Sequence, residues 1–247
     1  MKTVIIVQAR MGSTRLPGKM MMSINGRPMV EYVFDRVGLS KLADEVWLAT
    51  TVSVQDDVLA QWAEKNNIHY FRGSEDDVLD RYYQTAKQAE ADIVARVTGD
   101  CPLADYEVID QVIAEYKEGG YDYVSNVHPP TYPDGLDMEV FSFEALEKAW
   151  KEAKLPSERE HVTPYIWENP DKFKMKNITA GQDFSAQRWT LDTKEDFELI
   201  EKIILECDRI NSKCGMAEIL EILATHSEWL KINDKYGRNE GYKKSEK

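Results

Sequence analysis

Short apolar runs alternate with amphipathic stretches along most of this chain. Residues 4–7 are all β-branched and apolar, and polar residues bound them, the pattern of a buried central strand. Residues 45–51, 68–71, 93–97, 121–127, 135–141 and 188–191 read as further strands. Between them, apolar residues recur at helical spacing. After Pro28 come Val30, Val33, Phe34 and Val37, then Val54, Val58, Leu59, Trp62 and Ala63. Val78, Leu79, Tyr82, Tyr83 and Ala86 define a third helix, and Val108, Ile109, Val112 and Ile113 a fourth. Residues 142–153 and 157–167 predict two more, and Phe197, Ile200, Ile203 and Ile204 the inner face of another. Ser74 with Asp77, and Ser157 with Glu160, have capping-box spacing. Residues 215–232 carry two short helical patterns, and the tail from residue 236 to 247 has little to bury and reads as frayed.

Strands alternating with helices predict an α/β fold, a doubly wound and mostly parallel sheet. The reading is one domain over residues 1–235, with an excursion at about residues 126–180.

The polar turns after the strands hold the candidate chemistry. After the first strand come Arg10, Gly12, Ser13, Thr14, Arg15, Pro17, Gly18 and Lys19. A Gly-bearing loop rich in cations and amides, after a buried strand, is suited to holding a polyphosphate. It is not a nucleotide-hydrolase P-loop. Gly12 and Gly18 enclose five residues, and Met20 stands where a magnesium-binding hydroxyl belongs. The dinucleotide fingerprint is absent as well. Arg72 and Gly73 lie at the end of another strand, where ligands bind in open α/β sheets. Asp100 follows Thr98-Gly99 at a strand end, well placed to hold a hard divalent cation, and Asp192 ends residues 188–191 in the same way. Three prolines and a glycine stiffen the stretch from His128 to Asp137, a loop more readily functional than idle.

Composition narrows the partners. The net charge is −13, which disfavours nucleic acid and makes the cationic loop a local exception. The three cysteines, Cys101, Cys207 and Cys214, follow neither a zinc nor a redox spacing, so no disulfide framework is expected and a reducing cytoplasm fits. Met1-Lys2 leads straight into a strand, and no apolar run approaches a membrane span. The reading is therefore a cytoplasmic protein without a signal peptide.

Gln8-Ala-Arg-Met-Gly-Ser-Thr-Arg-Leu-Pro-Gly-Lys19 resembles the signature loop of the sugar-acid cytidylyltransferases, the makers of CMP-KDO and CMP-sialic acid. Arg72-Gly-Ser-Glu-Asp-Asp-Val-Leu79 is similar to the spore-coat polysaccharide branch of that family. The resemblance spans roughly residues 3–205. It implies the nucleotide-diphospho-sugar transferase fold, with an excursion that covers the sugar pocket and pairs two subunits into a homodimer. It implies CTP and a sugar acid as substrates, with Mg2+ on Asp100 and Asp192. Arg10, Lys19 and Asp100 become the catalytic candidates. Ala9, Arg10, Gly12, Ser13, Arg15, Lys19, Arg72, Gly73, Arg96, Thr98 and Gly99 fall to the nucleotide, and Tyr132, Glu139, His161 and Arg188 to the sugar. The KDO enzymes carry Glu where this chain has Cys101, which bears on the identity of the sugar. Cys101 itself reads as a packing residue, since no covalent intermediate is called for. The alternatives are a nucleotidyltransferase acting on a sugar phosphate, a glycosyltransferase of the same fold, and a silent nucleotide-binding subunit. The Asp-x-Asp pattern usual in such glycosyltransferases is absent at Gly99-Asp-Cys-Pro102.

Overall fold

Strand β1 (Thr3–Gln8) is the axis of the molecule. Its Ile5 and Val7 enter one apolar cluster and Val4 and Ile6 another, one on each face of the sheet. Burial on both faces is why its sequence is a continuous apolar run rather than an alternating one. The computed structural model describes residues 1–210 and 212–238.

After β1 the loop over residues 9–22, which ends in a 3-10 turn at Lys19–Met21, leads to a small hairpin, β2 (Ser23–Ile24) with β3 (Arg27–Pro28), and then to α1 (Met29–Val37). Strand β4 (Glu45–Thr51), α2 (Asp57–Lys65), β5 (His69–Gly73), α3 (Val78–Gln88), β6 (Ile93–Thr98) and α4 (Tyr106–Gly119) follow in alternation. Strands β7 (Tyr123–Ser125) and β8 (Glu139–Ser142) flank the proline-rich loop. Then come α5 (Phe143–Glu152), α6 (Pro156–His161), α7 (Pro164–Trp167) and β9 (Met175–Asn177). Helices α8 (Lys194–Arg209) and α9 (Met216–Thr225) follow, with a short 3-10 helix at Ser227–Lys231 after them.

The sheet order is β5-β4-β1-β6-β8-β7-β9. Strands β5, β4, β1 and β6 run parallel, while β8 is antiparallel to both β6 and β7. Gln8, the last residue of β1, pairs with Ala49 on one side and Thr98 on the other. The loop that follows therefore leaves the sheet between two strands reached in opposite directions, the switch point where open α/β sheets bind ligands. Gly99 lets this loop and the β6 turn approach. A Cβ there would lie 2.8 Å from Ala9 Cβ and 2.8 Å from Gln8 O. A third apolar cluster joins Leu16 and Tyr132 to Trp189, Leu191 and the inner faces of α8 and α9. It ties both cleft-forming loops to the C-terminal helices.

Several sequence expectations need correction. Residues 188–191 are extended but form no strand. Their backbone pairs with loops instead, through Trp189 N to Asp134 O (2.6 Å) and Leu191 N to Asp100 O (2.7 Å). The outermost strand is β9, which has only three residues and no clear apolar alternation to announce it. The helix expected over 157–167 breaks at Val162, whose φ is +74°. Its first part is capped by Glu158, which accepts from the Lys154 and Leu155 amides, rather than by Ser157 with Glu160. Helix α3 is capped by Asp77, which accepts from Asp80 N, while Ser74 Oγ accepts from Asp77 N one turn earlier. Val54 is 82% exposed rather than inward. Cys207 and Cys214 are joined as a disulfide, because the turn between α8 and α9 brings their Cα atoms to 5.8 Å. Tyr236, Gly237 and Arg238 make defined contacts rather than fraying, and residues 239–247 of the expected tail lie outside the described residues. Among the described residues no helix is long and apolar enough to cross a membrane.

Candidate active site

Lys19 stands at the centre of the cleft. Gly18 adopts φ +73° and turns the loop into a short helical turn that begins with Lys19. The ammonium donates to Asp100 Oδ2 (3.0 Å), Asp192 Oδ1 (2.8 Å) and Leu191 O (2.8 Å). Burial pulls the Lys19 pKa down, but the two carboxylates outweigh it and hold the pKa above its ordinary value. Burial likewise favours a neutral Asp100, yet Lys19 and a hydrogen bond from Thr98 bring its carboxyl down to about 2. Asp192 also accepts from Arg15 Nη2 at 2.7 Å and from Arg188 Nη2 at 3.4 Å.

Two recesses meet at this junction. One, of about 270 Å³, is walled by Ala9, Arg10, Ser13, Arg15, Lys19, Arg81 and Gly99. The other, of about 350 Å³, is walled by Arg96, His128, Asp134, Asp137, Glu139 and Arg188. Arg15, Thr98, Asp100, His161 and Asp192 border both. The first recess has the character of a phosphate site, with the cations of the opening loop facing it. Arg10 is half-exposed and only loosely paired with Glu75, at 3.4 Å. The loop amides are partly committed within the protein: Ser13 N donates to Met11 O (2.9 Å) and Met11 N to Asp56 Oδ1 (2.6 Å). Side chains therefore carry more of this recess than a simple amide cradle would.

In the second recess cations and carboxylates pair closely. Arg96 binds Glu139, which also accepts from Tyr123 OH; burial raises the Glu139 carboxyl, and Arg96, Thr163 and Tyr123 bring it below its ordinary value. Arg188 Nη1 donates to Asp134 Oδ2 and its Nε to Asp196 Oδ1, both at 2.9 Å. Asp196 is fully buried and also forms a capping box with Thr193, which fixes the start of α8 beneath Asp192. Burial pushes the Cys101 thiol well above its ordinary value, so it sits beside Asp100 as an inert packing group.

Ala9, Arg10, Ser13, Arg15, Lys19, Arg96, Thr98, Gly99, Asp100, Glu139, His161, Arg188 and Asp192 are thus brought together. Gly12 lies in the loop beside Glu75, outside both linings. Arg72, Gly73 and Tyr132 are not brought in. The Arg72 guanidinium donates to Thr51 O (2.8 Å) and Ser53 O (2.9 Å) and pairs with Asp57, bracing the loop after β4. Gly73 packs under Phe71 and Arg81. Tyr132 is a core residue whose hydroxyl donates to Gln111. Sequence reading missed Arg81, His128, Asp134 and Asp137. Arg81 had a signal, since Val78, Arg81 and Thr85 share one buried stripe of α3. It donates to Ser74 O, has no carboxylate partner among the described residues and borders the phosphate-like recess.

Two carboxyl groups with hard oxygens, Asp100 and Asp192, converge at Lys19, a donor set that suits a magnesium ion completed by phosphate oxygens and water. Among the described residues no His, Cys, Asp and Glu cluster of three or more could hold a metal without such help.

The cytidylyltransferase family model matches residues 4–224. This chain belongs to the cytidylyltransferase family. The match spans both recesses and the junction between them, and the protein is a CTP-dependent nucleotidyltransferase. Its relatives include sugar-acid enzymes. It is 33% identical to the spore coat polysaccharide biosynthesis protein SpsF of Bacillus subtilis, over 80% of this chain and 84% of that protein. It is 32% identical to the 3-deoxy-manno-octulosonate cytidylyltransferase 2 of Hydrogenovibrio crunogenus, over 74% of this chain and 69% of that one. A cytidylyltransferase structure from Leptospira borgpetersenii superposes with a TM-score of 0.87 at 35% identity, covering 94% of this chain and 97% of the other. The fold is that of the nucleotide-diphospho-sugar transferases.

Proposed function

We propose that this enzyme activates a 2-keto-3-deoxy sugar acid, KDO-like or nonulosonate-like, for surface polysaccharide synthesis. CTP and the acid give CMP-sugar and pyrophosphate. The observation that carries the reading is the meeting of a cation-walled recess and an arginine–carboxylate recess at Lys19, Asp100 and Asp192. CTP occupies the first recess and the acid the second, so the α-phosphate lies at the junction.

The anomeric hydroxyl of the acid attacks the α-phosphorus and gives up its proton, the bond to the bridging oxygen breaks with its electron pair on that oxygen, and pyrophosphate leaves. Catalysis of such a transfer is chiefly positioning and charge stabilisation. Arg10, Arg15 and Lys19 offset the triphosphate charge, and Lys19 stays protonated because Asp100 and Asp192 hold it so. Arg188 and His161 orient the acid from the second recess. Mg2+ would be held by Asp100 and Asp192, and when bound it would draw charge from the phosphate. The same reading extends to a cytoplasmic homodimer paired through the 126–180 excursion.

Pyrophosphate release tests the proposal, with each of the four NTPs against a panel of 2-keto-3-deoxy sugar acids in the presence of magnesium. Release with CTP and one acid is the expected result. Release only with a sugar phosphate, or CTP binding without any turnover, overturns the acceptor.

A further inference from the structure

Residues 233–238 lie past the end of the family match at residue 224, yet they form a strap against the acceptor recess. Asn233 is buried, and its Nδ2 donates to Arg188 O (3.0 Å) and Asp196 Oδ1 (2.8 Å). Lys235 and Tyr236 both reach Glu195, and Arg188 Nη1 donates to Gly237 O at 3.4 Å. The strap ends by delivering Arg238. Its Nη1 donates to Tyr132 O at 3.0 Å, and its Nη2 pairs with Asp137 Oδ1. The Arg238 side chain is only 12% exposed.

Asp137 borders the acceptor recess beside Asp134 and Glu139. Each of these carboxylates has its own arginine: Arg188 for Asp134, Arg96 for Glu139 and Arg238 for Asp137. An anionic acceptor adds one more negative charge to this wall, so an unpaired carboxylate there would repel it. A paired carboxylate remains an acceptor of hydroxyl hydrogen bonds, which a polyhydroxylated acid supplies.

We propose that Arg238 is a positioning residue for the acceptor: it holds the Asp137 carboxylate in the recess wall, where Asp137 accepts a hydrogen bond from a sugar hydroxyl. The proposal rests on the acceptor reading given above. Its test is steady-state kinetics on the full chain with CTP and 3-deoxy-manno-octulosonate, or whichever acid the panel shows to be turned over. R238A, R238K, D137N and the R238A/D137N double variant are compared with wild type. R238A should raise KM for the acid about tenfold or more, the weight of one hydrogen bond to a charged group, and leave KM for CTP within about twofold. R238K should recover most of the loss, and the double variant should match D137N, because both lesions act through one carboxylate. An unchanged acid KM in R238A overturns the proposal. So does an equal rise in both KM values that R238K fails to repair, since that marks the strap as a structural brace. Wild type that turns over no acid fails earlier, in the acceptor reading itself, and the proposal falls with it.

Discussion

On the nucleotide side of the cleft, Arg10, Arg15 and Lys19 all come from one loop, whereas on the acceptor side Arg96, Arg188 and Arg238 arrive from a strand, an extended segment and the C-terminal strap. On the nucleotide side, Arg10 is half-exposed and only loosely paired, and buried Arg81 has no carboxylate partner among the described residues. Arg15 and Lys19 are held by the junction carboxylates. The acceptor-side arginines are each committed to a carboxylate within the wall. A triphosphate carries enough charge of its own to offset cations such as Arg10 and Arg81 that the protein leaves without a close carboxylate. A sugar acid carries one charge and many hydroxyls, so its recess is nearly neutralised in advance and reads shape and hydrogen bonding.

The contrast predicts different kinds of damage. Arg188→Ala strands buried Asp196 and Asp134 without their cation, and should destabilise the fold by about 3–5 kcal/mol in a denaturant titration. A loss below about 1 kcal/mol would show that this wall is not held by its pairs. Arg81→Gln removes a cation without leaving a carboxylate unpaired. It should raise KM for CTP about tenfold while KM for the acid stays put. A rise confined to the acid would move Arg81 to the other side of the comparison.

The smallest effect is a pH slope. Burial, reinforced by Asp134 and Glu139 and opposed by Arg238 and Arg96, pushes Asp137 from its ordinary 3.8 up to about 7. A raised carboxyl binds its proton more tightly in the native state than in the unfolded one. Its contribution to stability is therefore present at low pH and fades as pH climbs from about 4 to 7. Asp137→Asn should flatten that part of the stability profile. Asp100, whose carboxyl is brought from 3.8 down to about 2, contributes a slope of opposite sign, chiefly below about pH 4, so it is separable from that of Asp137. A profile that D137N leaves untouched would show that Asp137 is as well solvated as an ordinary surface carboxylate.

The same contrast explains what was legible in the sequence. The nucleotide side is contiguous, so its glycines, cations and preceding strand could be read together. The parallel strands β1, β4, β5 and β6 were legible for a like reason, as short apolar-rich stretches at regular intervals between helical patterns. Asp100 and Asp192 could be paired because each ends an extended stretch, although the second stretch proved not to be a strand. The acceptor side is assembled by tertiary pairing. Asp134 and Asp137 lie in and beside a loop read as functional only as a whole, with neither singled out, and Arg238 fell in the tail read as frayed. Their partners lie far away in sequence, at Arg188 for Asp134 and across 101 residues for Arg238 and Asp137. Arg72 and Tyr132 failed in the opposite sense. Each sits where a ligand residue could, but backbone carbonyls and the core absorb them.

Chemistry is assigned to the junction where the two recesses meet. Asp100→Asn tests this most directly, with turnover followed by pyrophosphate release and CTP binding followed by calorimetry on the same sample. The geometry predicts a fall in kcat of about 100- to 1,000-fold, the range for loss of one preorganised electrostatic group, with the thermal transition retained. Turnover near the wild-type rate would place the reaction away from the Lys19–Asp100–Asp192 junction.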